Sequence, residues 1–283
     1  MGEKLMVIIK MMGGLGNQMF QYALYKAFEQ KHIDVYADLA WYKNKSVKFE
    51  LYNFGIKINV ASEKDINRLS DCQADFVSRI RRKIFGKKKS FVSEKNDSCY
   101  ENDILRMDNV YLSGYWQTEK YFSNTREKLL EDYSFALVNS QVSEWEDSIR
   151  NKNSVSIHIR RGDYLQGELY GGICTSLYYA EAIEYIKMRV PNAKFFVFSD
   201  DVEWVKQQED FKGFVIVDRN EYSSALSDMY LMSLCKHNII ANSSFSWWAA
   251  WLNRNEEKIV IAPRRWLNGK CTPDIWCKKW IRI

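Results

Sequence analysis

The feature that most constrains this chain is an alternation that starts near Val155 and continues to Ala262. Apolar segments at 155–159, 194–198, 214–218, 238–241 and 258–262 are separated by stretches of helical periodicity at 177–189, 201–208, 225–235 and 245–253. Strands separated by whole helices cannot be joined by tight turns, so each helix must carry the chain back over a parallel, doubly wound sheet. Leu226, Met229, Tyr230, Ser233 and Leu234 fall on one face of the 225–235 helix and read as a core stripe. A shorter version of the pattern opens the chain. Residues 4–10 read as a buried strand and 13–16 as a glycine turn. Residues 17–31 follow as a helix, with Met19, Tyr22, Ala23, Lys26 and Ala27 at helical spacing, and 33–38 as a second strand.

With 283 residues there is chain enough for two cores. Two α/β domains are expected, 1–150 and 151–283, with the tail from about 263 a candidate to pack back on the first. Residues 60–108 are polar and read as helices and loops around a basic run at 79–89. An apolar fraction of 46% with only 3 prolines excludes a disordered chain. No apolar stretch approaches the ~20 residues that span a bilayer, and no signal-peptide core follows Met1, so a cytoplasmic location is expected. The six cysteines form no C-x-x-C pair and read as free thiols, and the three histidines are far apart, so no zinc site is expected.

Four segments carry chemistry. The 154–164 segment places His158 and Arg160 on one face of a strand end, with Arg161 opening the loop and Asp163 close behind. Two adjacent guanidiniums there call for an anion, either a phosphate or Asp163 itself. At 239–252 an apolar strand breaks into Asn242-Ser243-Ser244 and passes straight into the helix that starts with Phe245 and Ser246. A helix N-terminus offers free N–H groups and the positive end of its dipole, which suits an anion; plain capping by Asn242, Ser243 and Ser244 is the alternative. Trp247, Trp248 and Trp251 read as core. Gly13-Gly14-Leu15-Gly16-Asn17 is a glycine turn after a strand, with Asp38 at the distance of a ribose contact. Met19, however, stands where the dinucleotide fingerprint needs its third glycine. Ser199-Asp200 ends a strand and suits either a ribose contact or helix capping.

Taken together, the segments from His158 to Tyr164, Gly13 to Tyr22, Gly114 to Gln117 and Asp228 to Trp248 resemble the α-1,2-fucosyltransferases of glycosyltransferase family 11 over almost the whole chain. The resemblance implies a GT-B architecture: two Rossmann-like domains facing across a cleft, with GDP-fucose held mainly by the C-terminal one. It implies transfer of L-fucose from GDP-β-L-fucose, with inversion, to the 2-hydroxyl of a galactose-type acceptor on a glycan. Carried over residue by residue, it places Arg160 on the β-phosphate and Asp163 in the nucleotide pocket; because the acceptor hydroxyl loses its proton late in such a transfer, Asp163 is also the candidate base. The donor would be held by His158, Arg160, Arg161, Asp200, Asn242, Ser243, Ser244, Phe245 and Ser246, with Gly14, Gly16 and Asn17 from the first domain. Tyr115, Trp116 and Gln117 are acceptor-side candidates. No D-x-D occurs in the chain, so neither a metal nor a cofactor beyond the GDP-fucose donor is expected. A GDP-fucose transferase of other linkage is the nearest rival, and a dinucleotide oxidoreductase resting on Gly13 to Gly16 the more distant one. No nucleic-acid partner is expected, and the 79–89 run reads as a solvated basic face that is a candidate for peripheral contact with the inner face of a membrane.

Overall fold

The computed structural model describes residues 5–72, 76–135, 142–165, 167–218 and 224–283. The chain divides into two compact units, Met1–Tyr133 with Pro273–Ile275, and Ser134–Thr272 with Trp276–Ile283. The first unit contains β1 (Met6–Lys10), α1 (Leu15–Glu29), β2 (Asp34–Asp38), α2 (Glu63–Leu69), α3 (Phe76–Phe85), β3 (Phe91–Ser93), β4 (Val110–Ser113) and α4 (Arg126–Asp132). Its sheet runs β2-β1-β4-β3 and is parallel throughout. Val7, Ile8 and Ile9 are fully buried, as the continuous apolar run of a strand covered on both faces requires. β3 and β4 were not legible in the sequence. Phe91-Val92-Ser93 is an apolar pair set among charges, too short for a period of two to register.

The second unit contains α5 (Ser143–Arg150), β5 (Asn153–Ile159), α6 (Ser176–Lys187), β6 (Ala193–Ser199), α7 (Val202–Lys206), β7 (Val215–Ile216), α8 (Ala225–Leu234), β8 (His237–Ile239), α9 (Ser244–Leu252), β9 (Val260–Ala262) and β10 (Ile281–Arg282). Its sheet, again all parallel, runs β10-β9-β8-β5-β6-β7. The five strands and four helices expected after Val155 are all present, shifted by a few residues at their ends. The helix at Ser143–Arg150, placed with the first domain in the sequence reading, instead packs with the second unit, where Tyr230 OH donates to Glu146 at 2.9 Å. From the tail, Pro273–Ile275 groups with the first unit, where Asp274 accepts from the Tyr100 N–H at 2.7 Å and pairs with Lys120.

Apolar packing centres on β5 and β6, with Val155, Ile157, Phe195 and Val197 meeting Tyr179, Ala182 and Ile186 of α6. Trp247, Trp248 and Trp251 are core residues of α9, as their helical spacing indicates. Behind the sheet, Asn238 donates to Ser156 Oγ and to the Met232 carbonyl, both at 2.8 Å, and accepts from Asn253 Nδ2 at 2.7 Å. Every member is buried, so this network fixes how β5, β8 and the end of α9 meet. Asn238→Ala should therefore lower the unfolding free energy by ~2 kcal/mol, because it strands the Met232 carbonyl and removes one of the buried acceptors of the Asn253 amide, which keeps only its bonds to the Cys235 and Lys236 carbonyls. Chemical denaturation measures the change, and a loss under ~0.5 kcal/mol would show that the network contributes nothing.

Candidate functional site

Strand order places the site. From β5 the chain winds outward through β6 and β7, then crosses back to β8 on the other side of β5. The crevice at the carboxyl ends of β5 and β8 is a switch point, where open α/β sheets hold ligands. Residues 158–161 leave β5 at that point, and residues 242–246 leave β8.

Arg160 lies between two carboxylates. Its Nε and Nη2 reach Asp163 Oδ1 at 3.1 and 2.7 Å, and its Nη1 reaches Asp200 Oδ2 at 3.0 Å. The two partners differ in solvation, the Asp200 side chain being 16% exposed and that of Asp163 68%. Asp200 is further anchored because its Oδ1 accepts the Arg161 N–H at 2.9 Å. Gly162 is required by this approach, since a Cβ there would lie 2.7 Å from Asp200 Oδ2. Arg161 donates to Asp201 at 3.0 Å and stacks on Trp204 with its guanidinium carbon 3.7 Å from the ring centroid. Both anion partners offered by the sequence therefore bear on the geometry: Asp163 does pair with Arg160, but through an exposed bond that is worth little and exchanges readily.

Asp200, expected on the donor, has both carboxylate oxygens engaged on the arginines. Capping of α7 falls to Asp201, which accepts from the Trp204 N–H at 3.2 Å. His158 is buried, its ring 5.6 Å from that of Phe245 in the first turn of α9. Asn242 is engaged inside the unit. Its amide donates to the carbonyls of Tyr170 and Trp266, both at 3.1 Å, and its carbonyl receives the Cys174 thiol at 3.4 Å. It thus ties the end of β8 to the loop before α6 rather than offering donors outward. Ser243 is the N-cap of α9 but its side chain makes no cap bond, which corrects the expectation of serine capping, and Ser246 Oγ turns back onto the carbonyls of Ala241 and Ser243. Ser244 and Phe245 are half-buried at the mouth. Beside these residues a cavity of about 400 Å³ is walled by Arg160, Arg161, Tyr164, Cys174, Tyr179 and Trp204. Burial pushes the Cys174 thiol up to about 12, so it is no nucleophile. Tyr164, Asp201, Trp204 and Gly162 were missed as site residues, although the first and last stand inside the motif itself.

The first unit has its own switch point at the end of β1, between β2 and β4. Gly14 is the N-cap of α1 and Gly16 lies in its first turn, but Gly13 is the glycine that the backbone needs. Its φ is 80°, and a Cβ on it would come within 2.5 Å of Asn17 Nδ2. Asn17 Oδ1 accepts from Gln117 Nε2 at 2.7 Å, and Gln21 donates to the Gly114 carbonyl at 3.1 Å, so the glycine turn and the 114–117 turn are joined. Asp38, at the distance of a ribose contact, instead accepts from Tyr111 OH at 2.7 Å and the Ala40 N–H at 2.8 Å. Trp116 is fully buried and cannot present its indole to an acceptor, which corrects that expectation; Tyr115 and Gln117 are half-buried. A hollow of about 620 Å³ lies at the end of β2, walled by Asp38, Tyr42, Phe49 and Ile66.

Glu94 holds the 114–117 turn. Its carboxylate accepts the Tyr115 N–H at 2.7 Å and the Trp116 N–H at 3.2 Å. Trp116 is in the left-handed region, at φ 57°, and its buried indole N–H finds no hydrogen-bond partner among the described residues. Such strain persists only where surroundings impose it, and Glu94 supplies the constraint. Lying between Ser93 and Lys95, it has no signal in the sequence beyond being one more surface-type charge.

Comparison with known proteins matches the model of glycosyl transferase family 11 to residues 1–283. An alpha-1,2-colitosyltransferase of Escherichia coli is 38% identical over 291 residues, covering 98% of each chain. The O-antigen biosynthesis glycosyltransferase WbnK, also of Escherichia coli, is 33% identical over 298 residues, covering 96% of this chain and 98% of the relative. Among solved structures, the fucosyltransferase NodZ from Bradyrhizobium aligns with a TM-score of 0.47 at 15% identity, over 88% of this chain and 92% of that one.

Burial pushes the Glu94 carboxyl up to about 6 from its ordinary 4.5, against the Tyr115 and Trp116 N–H bonds that pull it down. Because the folded value is the higher one, Glu94 contributes stability that is complete below about 4.5 and lost as pH rises through about 6. The stability of wild type relative to Glu94→Gln should therefore fall by ~2 kcal/mol between pH 4 and pH 7. Unfolding titrations across that range measure it, and a flat difference would show that the carboxylate is solvated.

Proposed function

The chain belongs to glycosyl transferase family 11, and from that membership we propose that it moves L-fucose from GDP-β-L-fucose to the 2-hydroxyl of a terminal galactose-type residue on a glycan, with inversion at the anomeric carbon. One observation carries the donor assignment: a switch-point crevice that combines two guanidiniums from β5 with the start of α9. The names of the relatives support the α-1,2 linkage.

In this reading the donor diphosphate displaces Asp163 from Arg160, while Asp200 keeps the guanidinium aimed. The bond from the fucosyl carbon to the GDP oxygen breaks as the acceptor oxygen bonds that carbon from the opposite face. Charge developing on the diphosphate meets Arg160 and the first-turn N–H groups of α9, the kind of preorganised stabilisation that commonly dominates catalysis. The exchange also frees Asp163, the candidate to take the acceptor proton, which leaves late and needs no strong base. His158 packs Phe245 in place at the mouth. The half-buried Tyr115 and Gln117, joined through Asn17 to the turn of Gly14 and Gly16, are the candidate acceptor side. The diphosphate charge is met by protein groups, so no metal is required, and the reading places the enzyme in the cytoplasm.

Colitose lacks the 3-hydroxyl of fucose, and the resemblance to a colitosyltransferase makes GDP-colitose the second donor to test. Assays of GDP-fucose and GDP-colitose against a panel of β-galactosides, with linkage analysis of the product, test the reading. α-1,2-Linked fucoside is expected, and transfer of colitose alone, or a different linkage, would overturn it.

Arg160→Ala should lower kcat/KM by ~100-fold or more, and Arg160→Lys should restore little, because a point-like ammonium cannot reproduce the planar fork that holds Asp200 and the diphosphate at once. Retention above about a tenth of wild-type activity would remove the leaving-group role. Turnover should survive EDTA, whereas total loss restored only by a stoichiometric divalent ion would sink the metal-free mechanism.

A further inference from the structure

Helix α3 turns the wrong face outward for a helix of a water-soluble surface. Phe76 is 75% exposed, Val77 75%, Ile80 41%, Ile84 66% and Phe85 79%. Phe76, Ile80 and Ile84 recur every four residues, so they form one stripe along a helix of ~15 Å. Single exposed apolar residues are ordinary, but a continuous row of this size marks a surface that something covers.

The charges around the stripe indicate what covers it. Between 76 and 89 the chain has seven basic residues and no acidic one. Three of them turn inward. Arg81 pairs with Asp71, Arg82 reaches Asp71 at 3.3 Å, and Lys88 Nζ donates to the Asn67 carbonyl at 2.7 Å. Against burial, which raises it, the two guanidiniums and the Lys88 N–H, which donates to Asp71 Oδ2 at 2.9 Å, hold the Asp71 carboxyl at about 2, so the helix stays clamped at any working pH. Arg79, Lys83, Lys87 and Lys89 remain exposed, on and beside the apolar stripe. Apolar side chains flanked by cations on the outward face of a short helix match a layer of anionic headgroups over hydrocarbon.

We propose that α3 is a docking surface for the face of an anionic phospholipid bilayer, lying flat with Phe76, Ile80 and Ile84 dipped below the headgroups and Arg79 and Lys83 among them. The Asp71 clamp keeps the helix formed and oriented before it meets the membrane, which reduces the ordering entropy that binding costs. This proposal is independent of the donor chemistry, since its readout is binding.

The test is flotation of the purified full chain with vesicles of phosphatidylcholine and phosphatidylglycerol, and with phosphatidylcholine alone. Binding should be about tenfold or more stronger to the anionic vesicles and should weaken as salt is raised. The combined variant Phe76→Ser, Ile80→Ser, Ile84→Ser should lose it, and Arg79→Ala with Lys83→Ala should lose the preference for anionic lipid. Circular dichroism and thermal unfolding of both variants should match wild type, because every changed side chain points outward. Failure of the wild type to float with anionic vesicles, or equal flotation of the apolar variant, would overturn the proposal. So would a wild-type dimer in light scattering that the apolar variant dissolves without any change in flotation, which would assign the stripe to a second copy of the chain.

Discussion

Arg160 meets Asp200 across the ends of two neighbouring strands, and much of the second unit is arranged so that this contact holds. The register pairs His158 with Phe198 and Ile159 with Ser199, so the two charged residues continue the ladder of β5 and β6 one step beyond its last bonds. Asp200 is fixed from the other side by the Arg161 N–H, and Gly162 leaves room for it. A guanidinium aimed by a shielded carboxylate but shared with an exposed one is strongly oriented and weakly saturated. That combination suits a group that must accept a diphosphate without searching for it. The price is a partly buried carboxylate, offset by its two charge-assisted bonds.

Five of the six strands described in the second unit were legible because each is an apolar run set off by helical periodicity, whereas β10, two residues long, carries no such pattern. The crevice was legible for the same reason, since its residues stand where apolar runs stop. The partners were not. That Asp200 would face Arg160 rather than a ribose depends on β6 lying next to β5, a pairing that residue spacing does not encode. Asn242 looked like a ligand contact because it begins a polar turn, yet its amide is consumed by the carbonyls of Tyr170 and Trp266, which only the folded loop brings near.

The first unit was harder to read. β3 and β4 together bring Glu94 against the 114–117 turn, and neither strand carries a pattern long enough to recognise. Trp116 was an acceptor-side candidate only through the family resemblance of the 114–117 segment, but its left-handed backbone and complete burial make it the anchor of the turn. The basic run at 79–89 was visible as charge alone. What the structure adds is that some of its cations face inward onto Asp71 and the backbone nearby, leaving the apolar side chains outside.

The central claim is that the nucleotide diphosphate sits at the carboxyl ends of β5 and β8. Hydrogen exchange read by mass spectrometry, with and without saturating GDP, tests it without turnover. Amides of residues 160–165 and 243–246 should gain protection, the first because Arg160 and its loop become fixed and the second because the first-turn N–H groups of α9 acquire an anionic acceptor. Protection confined to other segments, with these two unchanged at saturation, would contradict the placement of the donor in this crevice.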